Sequence, residues 1–242
     1  MLTSEELIDQ LQALGEYLER KRIIKSANPI VQACSRLQRN NKRCFIDGIE
    51  LEAVKGDYIR GKEWDSDLDV KLTIDVQIKE KFCYEDVSFI AVNMEYSTLH
   101  LADARECKGC WHFDYHVDME GSGEAEEYRY MHPHHHVHHG GREVKDLGSY
   151  GNMIILKSSR LIHHPMDALL AIDLALSNFL PSKTWQKIRS DSSYNRMMTD
   201  SQLAWWKPYY ERLGNYWRCK GSKASNDKLI IEQSKELNPH LL

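Results

Sequence analysis

Histidine and aspartate alternate with aromatic residues along two short segments near the middle of the chain. Eight of the twelve histidines lie between His112 and His139. Successive side chains of a β-strand point to opposite faces. In residues 111–118 this period places four ionisable side chains on one face: His112, Asp114, His116 and Asp118. In the second segment it places His132, His134, His136 and His138 on one face, and Pro133, His135, Val137 and His139 on the other.

The two segments are predicted to pair as a β-hairpin. Residues 119–124 are acidic and glycine-rich, which is typical of a turn. Cross-strand neighbours lie about 5 Å apart, so such a hairpin gathers several imidazoles and carboxylates. Imidazole is the commonest metal ligand and a general acid or base near neutral pH. The pattern therefore indicates either a His/Asp metal site that activates water or a metal-free site that cleaves RNA with two histidines. A purely structural or solvated histidine cluster stays open beside both.

From this pattern we expect a row of working residues on one face of the hairpin. The expected catalytic residues are His112, Asp114, His116, His132 and His136. The expected ligands of a divalent metal, zinc or manganese, are His112, His116, His134 and His136. Cys107 and Cys110 immediately precede this row as a CxxC pair. A lone CxxC is half of a zinc site, but two reduced thiols in a turn are the favoured interpretation.

A second cluster of carboxylates lies at the start of a predicted strand. The stretch Gly56-Asp-Tyr-Ile-Arg-Gly-Lys-Glu-Trp-Asp-Ser-Asp-Leu-Asp-Val70 resembles the nucleotidyltransferase signature. That resemblance implies magnesium held by Asp67 and Asp69, with Glu95 as a possible third carboxylate. Asp57 stands where the family has serine, and the spacing is about one residue short. A charged turn that leads into a strand is therefore the favoured interpretation.

The C-terminal third is basic and aromatic. Residues 183–223 hold nine basic and three acidic side chains, interleaved with tryptophan and tyrosine. Cations beside stacking aromatics are typical of single-stranded nucleic-acid binding. The residues expected to bind are Lys187, Arg189, Trp205, Trp206, Lys207 and Arg212. The same aromatics at helical spacing also fit a hydrophobic core, which is the favoured alternative.

Hydrophobic periodicity predicts the elements that position these residues. Apolar spacing of three and four predicts helices from Ser4, over 29–38, over 166–179 with Pro165 in the first turn, over 182–217, and a short one within 223–242. Alternation or apolar runs predict strands within 44–49, 69–78, 87–101, 111–118, 128–137 and 151–157. We expect an α+β fold, with a central antiparallel sheet flanked by N-terminal and C-terminal helices. Its segments are 1–40, 41–160 and 161–242, in one compact unit.

Composition bounds the classes of function. The net charge of −4 gives no global basic signature, so nucleic-acid binding would have to be local. Six cysteines in 242 residues are too sparse for a disulfide scaffold. The polar, acidic start is unlike a signal peptide, and no apolar run reaches about 18 residues. We therefore expect a cytoplasmic protein with no membrane partner.

Residues 111–180 resemble an uncharacterised bacterial family of toxin–antitoxin and phage-defence loci. The resemblance is carried by Phe113-Asp-Tyr-His116, His132-Pro-His-His-His136, Gly140-Gly141, and His164-Pro-Met-Asp167 leading to Ser177-Asn-Phe179. The first elements are also similar to those of small TumE-type toxins that act on RNA. The leading hypothesis is a nucleic-acid-directed hydrolase. The alternatives are a non-enzymatic subunit of a defence or toxin–antitoxin complex, with a protein partner encoded nearby, and a nucleotidyltransferase using Asp67 and Asp69.

Overall fold

Along the chain, helices precede and follow a β-rich middle part. The computed structural model describes residues 3–52, 54–55, 67–104, 106–116, 134–139, 161–238 and 241. The helices are α1 (Ser4–Arg20), α2 (Asn28–Arg39), α3 (Ala168–Phe179), α4 (Ser182–Arg189), α5 (Ser192–Cys219) and α6 (Ser225–Leu237). The strands are β1 (Arg43–Glu50), β2 (Val54–Lys55), β3 (Asp67–Ile78), β4 (Val87–Leu99), β5 (Glu106–His116), β6 (His135–His139) and β7 (Leu161–Ile162).

The N-terminal helices form where the sequence predicts them. The Thr3 hydroxyl accepts from the Glu6 amide and the Glu6 carboxylate accepts from the Thr3 amide, which satisfies two donors at the start of α1. The leucines of α1 at three- and four-residue spacing are fully buried. Pro29 lies in the first turn of α2, where its missing N–H costs no hydrogen bond. Both helices join the core, and α2 packs against β1.

The described strands form one antiparallel sheet. Its order is β1-β3-β4-β5-β6-β7, with β2 paired to β3. The long pairing of β3 with β4 and of β4 with β5 makes the centre of the sheet continuous over ten or so residues. N-terminal and C-terminal helices flank the sheet, so the prediction of an α+β fold is confirmed.

Alternation gives the sheet an apolar inner face and a polar open face. On β3 the inner residues Val70, Leu72, Ile74 and Val76 are buried. Their neighbours of odd number, from Asp69 to Gln77, are exposed or half-buried. The antiparallel pairing carries this division across to β4 and β5, where Val92 and Phe113 are buried on the inner face. One buried cluster includes residues of all three predicted segments, from Leu7 to Leu237.

Strand β5 begins earlier than predicted, at Glu106 rather than residue 111. Cys107 and Cys110 are therefore strand residues and not members of a turn. Three positions apart on a strand, they point to opposite faces, which does not suit a shared zinc ion. Neither forms a disulfide. The predicted strand at 151–157 and the turn at 119–124 lie outside the described residues.

The C-terminal helices begin with α3, whose residues are almost all buried. Its N-cap is Asp167, whose carboxylate accepts from the Leu170 amide. Pro165 therefore precedes the helix, and the prediction that it occupies the first turn is wrong. Helix α5 continues through Pro208 for 28 residues. None of the described helices combines the length and apolarity that a membrane span requires.

Candidate functional site

The register of β4, β5 and β6 sets the polar residues of the open face in two rows. Asn93 pairs with His112, and His112 pairs with His138. Two residues further along β5, on the same face of the sheet, Asp114 is opposite Ala91 of β4 and His136 of β6. All of these side chains except alanine carry a hydrogen-bonding or ligating group, and they lie on three adjacent strands. The sheet itself therefore assembles the cluster, without help from a helix or a loop.

Successive contacts link four of these side chains. The Nδ1 atom of His112 faces Oδ1 of Asn93 in a short hydrogen bond. The other ring nitrogen of His112, Nε2, lies 3.1 Å from Oδ2 of Asp114. The second oxygen of Asp114, Oδ1, lies 2.7 Å from Nε2 of His136. Asp114 thus bridges two imidazoles, one from its own strand and one from the neighbouring strand.

His138 completes the cluster. Its ring centroid lies 5.0 Å from that of His112 and 5.8 Å from that of His136. One nitrogen or oxygen atom from each of His112, Asp114 and His138 can be chosen so that all three lie within 4.8 Å of one another. Side chains this close can share one metal ion, because zinc and manganese bind nitrogen and oxygen at about 2.0–2.2 Å.

The electrostatics of the cluster centre on the carboxylate of Asp114. Burial alone would raise the pKa of Asp114, but the contacts from His112 and His136 outweigh it and hold that pKa well below its usual range. Burial, together with the neighbouring His112, lowers the pKa of His138 to about 4. At neutral pH the cluster therefore contains an ionised carboxylate beside a neutral imidazole. Both are the forms that bind a metal cation.

The hydrogen-bond partners of His112 define what its two ring nitrogens do. Its Nδ1 donates to the carbonyl oxygen of Asn93, and its Nε2 faces a carboxylate oxygen of Asp114. Nε2 is therefore the nitrogen that a metal ion would bind, with the Nδ1–H bond to Asn93 left in place. This is the arrangement in which outer groups orient metal-binding histidines.

The predicted site residues fall into three groups. His112, Asp114 and His136 are brought together, and His138 joins them although it was not in the expected row. His134 precedes β6, and its ring packs 6.2 Å from that of Tyr115. His116 ends β5 opposite Phe89, but its side chain is outside the description, and His132 lies outside the described residues.

Asn93 is the residue that the sequence reasoning missed. It lies on β4, 19 residues before His112, and it meets His112 only through strand pairing. The available signal was the polar asparagine at a position whose strand neighbours, Val92 and Met94, are apolar.

The residues expected to bind nucleic acid do not form one surface. Trp205 is fully buried, so its ring is not available to stack on a base. Trp206 donates to the Pro165 carbonyl at 2.9 Å, and the Arg212 guanidinium lies 5.5 Å from the centre of the Tyr84 ring. Arg189 lies over the Trp185 ring and approaches Asp173 at 3.8 Å. Lys187 and Lys207 are exposed on different helices.

Two carboxylates of the alternative nucleotidyltransferase site lie on β3. Asp67 and Asp69 are exposed at the start of β3, and Asp69 lies 3.7 Å from the Lys25 ammonium. A cavity of about 380 Å³ on the open face is lined by both Asp69 and Glu95, together with Lys25, Lys71 and Lys108. Within the described part of the chain these acids do not converge as ligands of one ion. The turn that carries the resemblance, residues 56–66, lies outside the description.

Comparison of the chain with protein-family models, with curated proteins and with solved structures gives no match. The function is therefore inferred from the chemistry of the site. The site has a carboxylate flanked by imidazoles, a neutral histidine beside them and partial access to solvent. The exposed fractions are 22% for the His112 side chain and 14% for Asp114, so a small ligand or a phosphate group can reach them.

Proposed function

We propose that the protein is a metal-dependent hydrolase that cleaves phosphodiester bonds of nucleic acid. The observation that carries the proposal is the approach of His112, Asp114 and His138 to within the span of one metal ion. Two imidazoles and a carboxylate are the ligands of many catalytic zinc sites, in which a fourth position binds water. Manganese accepts the same nitrogen and oxygen donors.

Two further side chains support the ligands. Asn93 accepts from Nδ1 of His112, which leaves Nε2 of that ring directed toward Asp114. The Nε2 atom of His136 lies 2.7 Å from Oδ1 of Asp114, which places a second imidazole against the carboxylate. His136 is 1% exposed, so it is a positioning residue rather than a group that meets substrate. Such outer contacts typically change metal affinity 10- to 100-fold.

In the proposed reaction, the oxygen of a water molecule bonds to phosphorus, one P–O ester bond breaks, and the departing oxygen takes up a proton and leaves as an alcohol. His112, Asp114 and His138 would hold the ion on the open face of the sheet, and a divalent metal bound there would supply Lewis-acid chemistry. A phosphodiester carries the negative charge that a divalent cation attracts. The resemblance of residues 111–136 to elements of toxins that act on RNA favours nucleic acid as the substrate.

The test is cleavage of labelled single-stranded RNA and DNA by untagged protein supplied with zinc or manganese. The wild-type protein is expected to cleave, and EDTA is expected to stop it. His112→Ala and His138→Ala should each lower the rate at least about 100-fold, because either change removes a ligand. His139→Ala is the matched control, since this exposed histidine of the same strand points to the other face. Equal rates in all three variants would exclude the proposed site.

A further inference from the structure

Helix α5 exposes large apolar side chains at regular intervals. Leu203, Tyr210 and Trp217 are 56%, 52% and 66% exposed, and each is seven residues from the next. Seven residues are nearly two helical turns, so the three lie in one line with about 10 Å between neighbours. We name this line, together with the half-buried Trp206 and Leu213 between its members, the α5 stripe.

Trp206 and Leu213 pack partly against the core of the protein, but the core does not account for the three exposed members of the α5 stripe. The buried side of α5 is formed by other residues, including Trp205, Tyr209 and Tyr216, which are 0–2% exposed. An apolar line of this kind beside a separately buried face marks an interaction surface. Two of its three exposed members are aromatic, and aromatic rings offer flat faces on which nucleobases stack.

Cations accompany the aromatic end of the α5 stripe. Lys207, Arg218, Lys220 and Lys223 are exposed in residues 207–223, and the one acidic side chain of this stretch, Glu211, lies 3.9 Å from the Lys207 ammonium. The Lys220 ammonium lies 5.4 Å from the centre of the Trp217 ring. A second copy of the chain would bring like charges together at this surface, whereas a polyanion complements it.

We propose that the α5 stripe docks single-stranded nucleic acid, with Tyr210 and Trp217 as stacking platforms and the surrounding lysines and arginine on the phosphates. This inference rests on the proposed function and specifies the single strand as the form of its substrate. Stacking requires unpaired bases, and two rings about 10 Å apart are spaced for bases that are not adjacent to one another. Of the residues expected from the sequence, Trp206 and Lys207 belong to this surface, whereas Trp205 is buried and is not available for stacking.

The α5 stripe is connected to β6, a strand of the candidate metal site, through the segment before α3. The Tyr210 hydroxyl lies 3.1 Å from Nδ1 of His164. The adjacent His163 donates its amide to the His135 carbonyl of β6 at 3.1 Å. The next residue of β6 is His136, which contacts Asp114 on the open face. A nucleic-acid strand bound along α5 would therefore pass around β7, the strand beside β6 at this edge of the described sheet, to reach the open face.

The experiment measures binding of a fluorescein-labelled oligouridylate, about twelve nucleotides long, by fluorescence anisotropy in EDTA. Without metal no cleavage occurs, so binding is read separately from the proposed activity. Trp217→Ala and Tyr210→Ala are each expected to weaken binding by about 5- to 150-fold, the range for loss of one stacked base. Trp217→Phe should restore most of the affinity. Lys220→Gln should reduce the dependence of affinity on salt, because it removes a phosphate contact.

Leu229→Ala is the matched control, because Leu229 is 60% exposed on α6 and outside the stripe. Unchanged binding in this variant, with loss in Trp217→Ala, supports the proposal. Equal binding in all variants overturns it. So does a dimer seen by light scattering that Trp217→Ala converts to a monomer, since the stripe is then a contact between copies. A wild-type protein that holds no metal ion but still binds the oligouridylate rejects the proposed activity and leaves this inference standing.

Discussion

His136 contacts Asp114 across the pairing of β6 with β5, with 2.7 Å between Nε2 and Oδ1. The imidazole is almost fully buried and the carboxylate is 14% exposed. A carboxylate in such surroundings needs its partners, because burial disfavours the charge. The contact is therefore a structural requirement of the site as well as a means of orienting the carboxylate.

Replacing His136 by alanine is expected to destabilise the protein by about 3 kcal/mol, because one oxygen of a mostly buried carboxylate loses its partner. Urea denaturation checks this through a lower midpoint at an unchanged slope. His139→Ala, on the same strand but exposed, should cost less than about 1 kcal/mol. If His136→Ala lowered the free energy of unfolding by as little as His139→Ala does, the contact would not stabilise the fold.

Asp167 should be one of the most sensitive positions in the helical part. Its carboxylate caps α3 through the Leu170 amide at 2.9 Å and also accepts from the Ser201 hydroxyl. Asp167→Ala is expected to cost about 2–3 kcal/mol, since a cap is lost and a buried hydroxyl loses its acceptor.

Asp167→Asn should cost less than the alanine change. Burial raises the pKa of this carboxyl, so its charge is disfavoured where it lies, and an amide oxygen retains the cap. Asp191→Ala, which removes the more accessible cap of α5, is the comparison and should cost less. Thermal unfolding of the three variants ranks them. An Asp167→Ala protein as stable as Asp191→Ala would contradict this account.

His164 should make the protein sensitive to acid. Burial, with a smaller contribution from His163, lowers its pKa to about 4, against about 6.5 in an unfolded chain. Below pH 6.5 the unfolded state therefore binds a proton that the folded state does not, and stability falls as the pH decreases toward 4. The slope from this one residue is less than about 1.4 kcal/mol per pH unit.

His164→Asn removes the titrating ring and keeps an acceptor for the Tyr210 hydroxyl. Free energies of unfolding measured from pH 7 to pH 4.5 should fall less steeply in this variant than in the wild-type protein. Parallel curves would mean that His164 is as easily protonated in the folded protein as in the unfolded chain.

The faces of the strands were predictable from the sequence, and the pairing of residues across them was not. Period two alone places His112 with Asp114 and separates His135 from His136, because a strand has only two faces. Which residue of β6 lies opposite Asp114 depends on the register of the two strands. The sequence of the predicted turn at residues 119–124 does not determine that register. For this reason the expected row included His134 and omitted His138.

Residues that reach the site from distant parts of the chain could not be predicted from local sequence patterns, for a related physical reason. Asn93 meets His112 through the pairing of β4 with β5, which brings together residues far apart in sequence. The burial of Trp205 likewise depends on which side of α5 packs against its neighbours. Aromatic residues occur on both sides of that helix, so composition alone did not separate Trp205 from Trp217.

Elemental analysis of untagged protein, after loading with zinc or manganese and removal of loosely bound ions, tests the central claim most directly. The wild-type protein and His139→Ala should each hold about one ion per chain. His112→Ala, His138→Ala and Asp114→Asn should hold none, and Asn93→Leu should bind about 10- to 100-fold more weakly. A wild-type protein that retains no ion, or variants that retain as much as the wild type, would contradict a metal site at His112, Asp114 and His138.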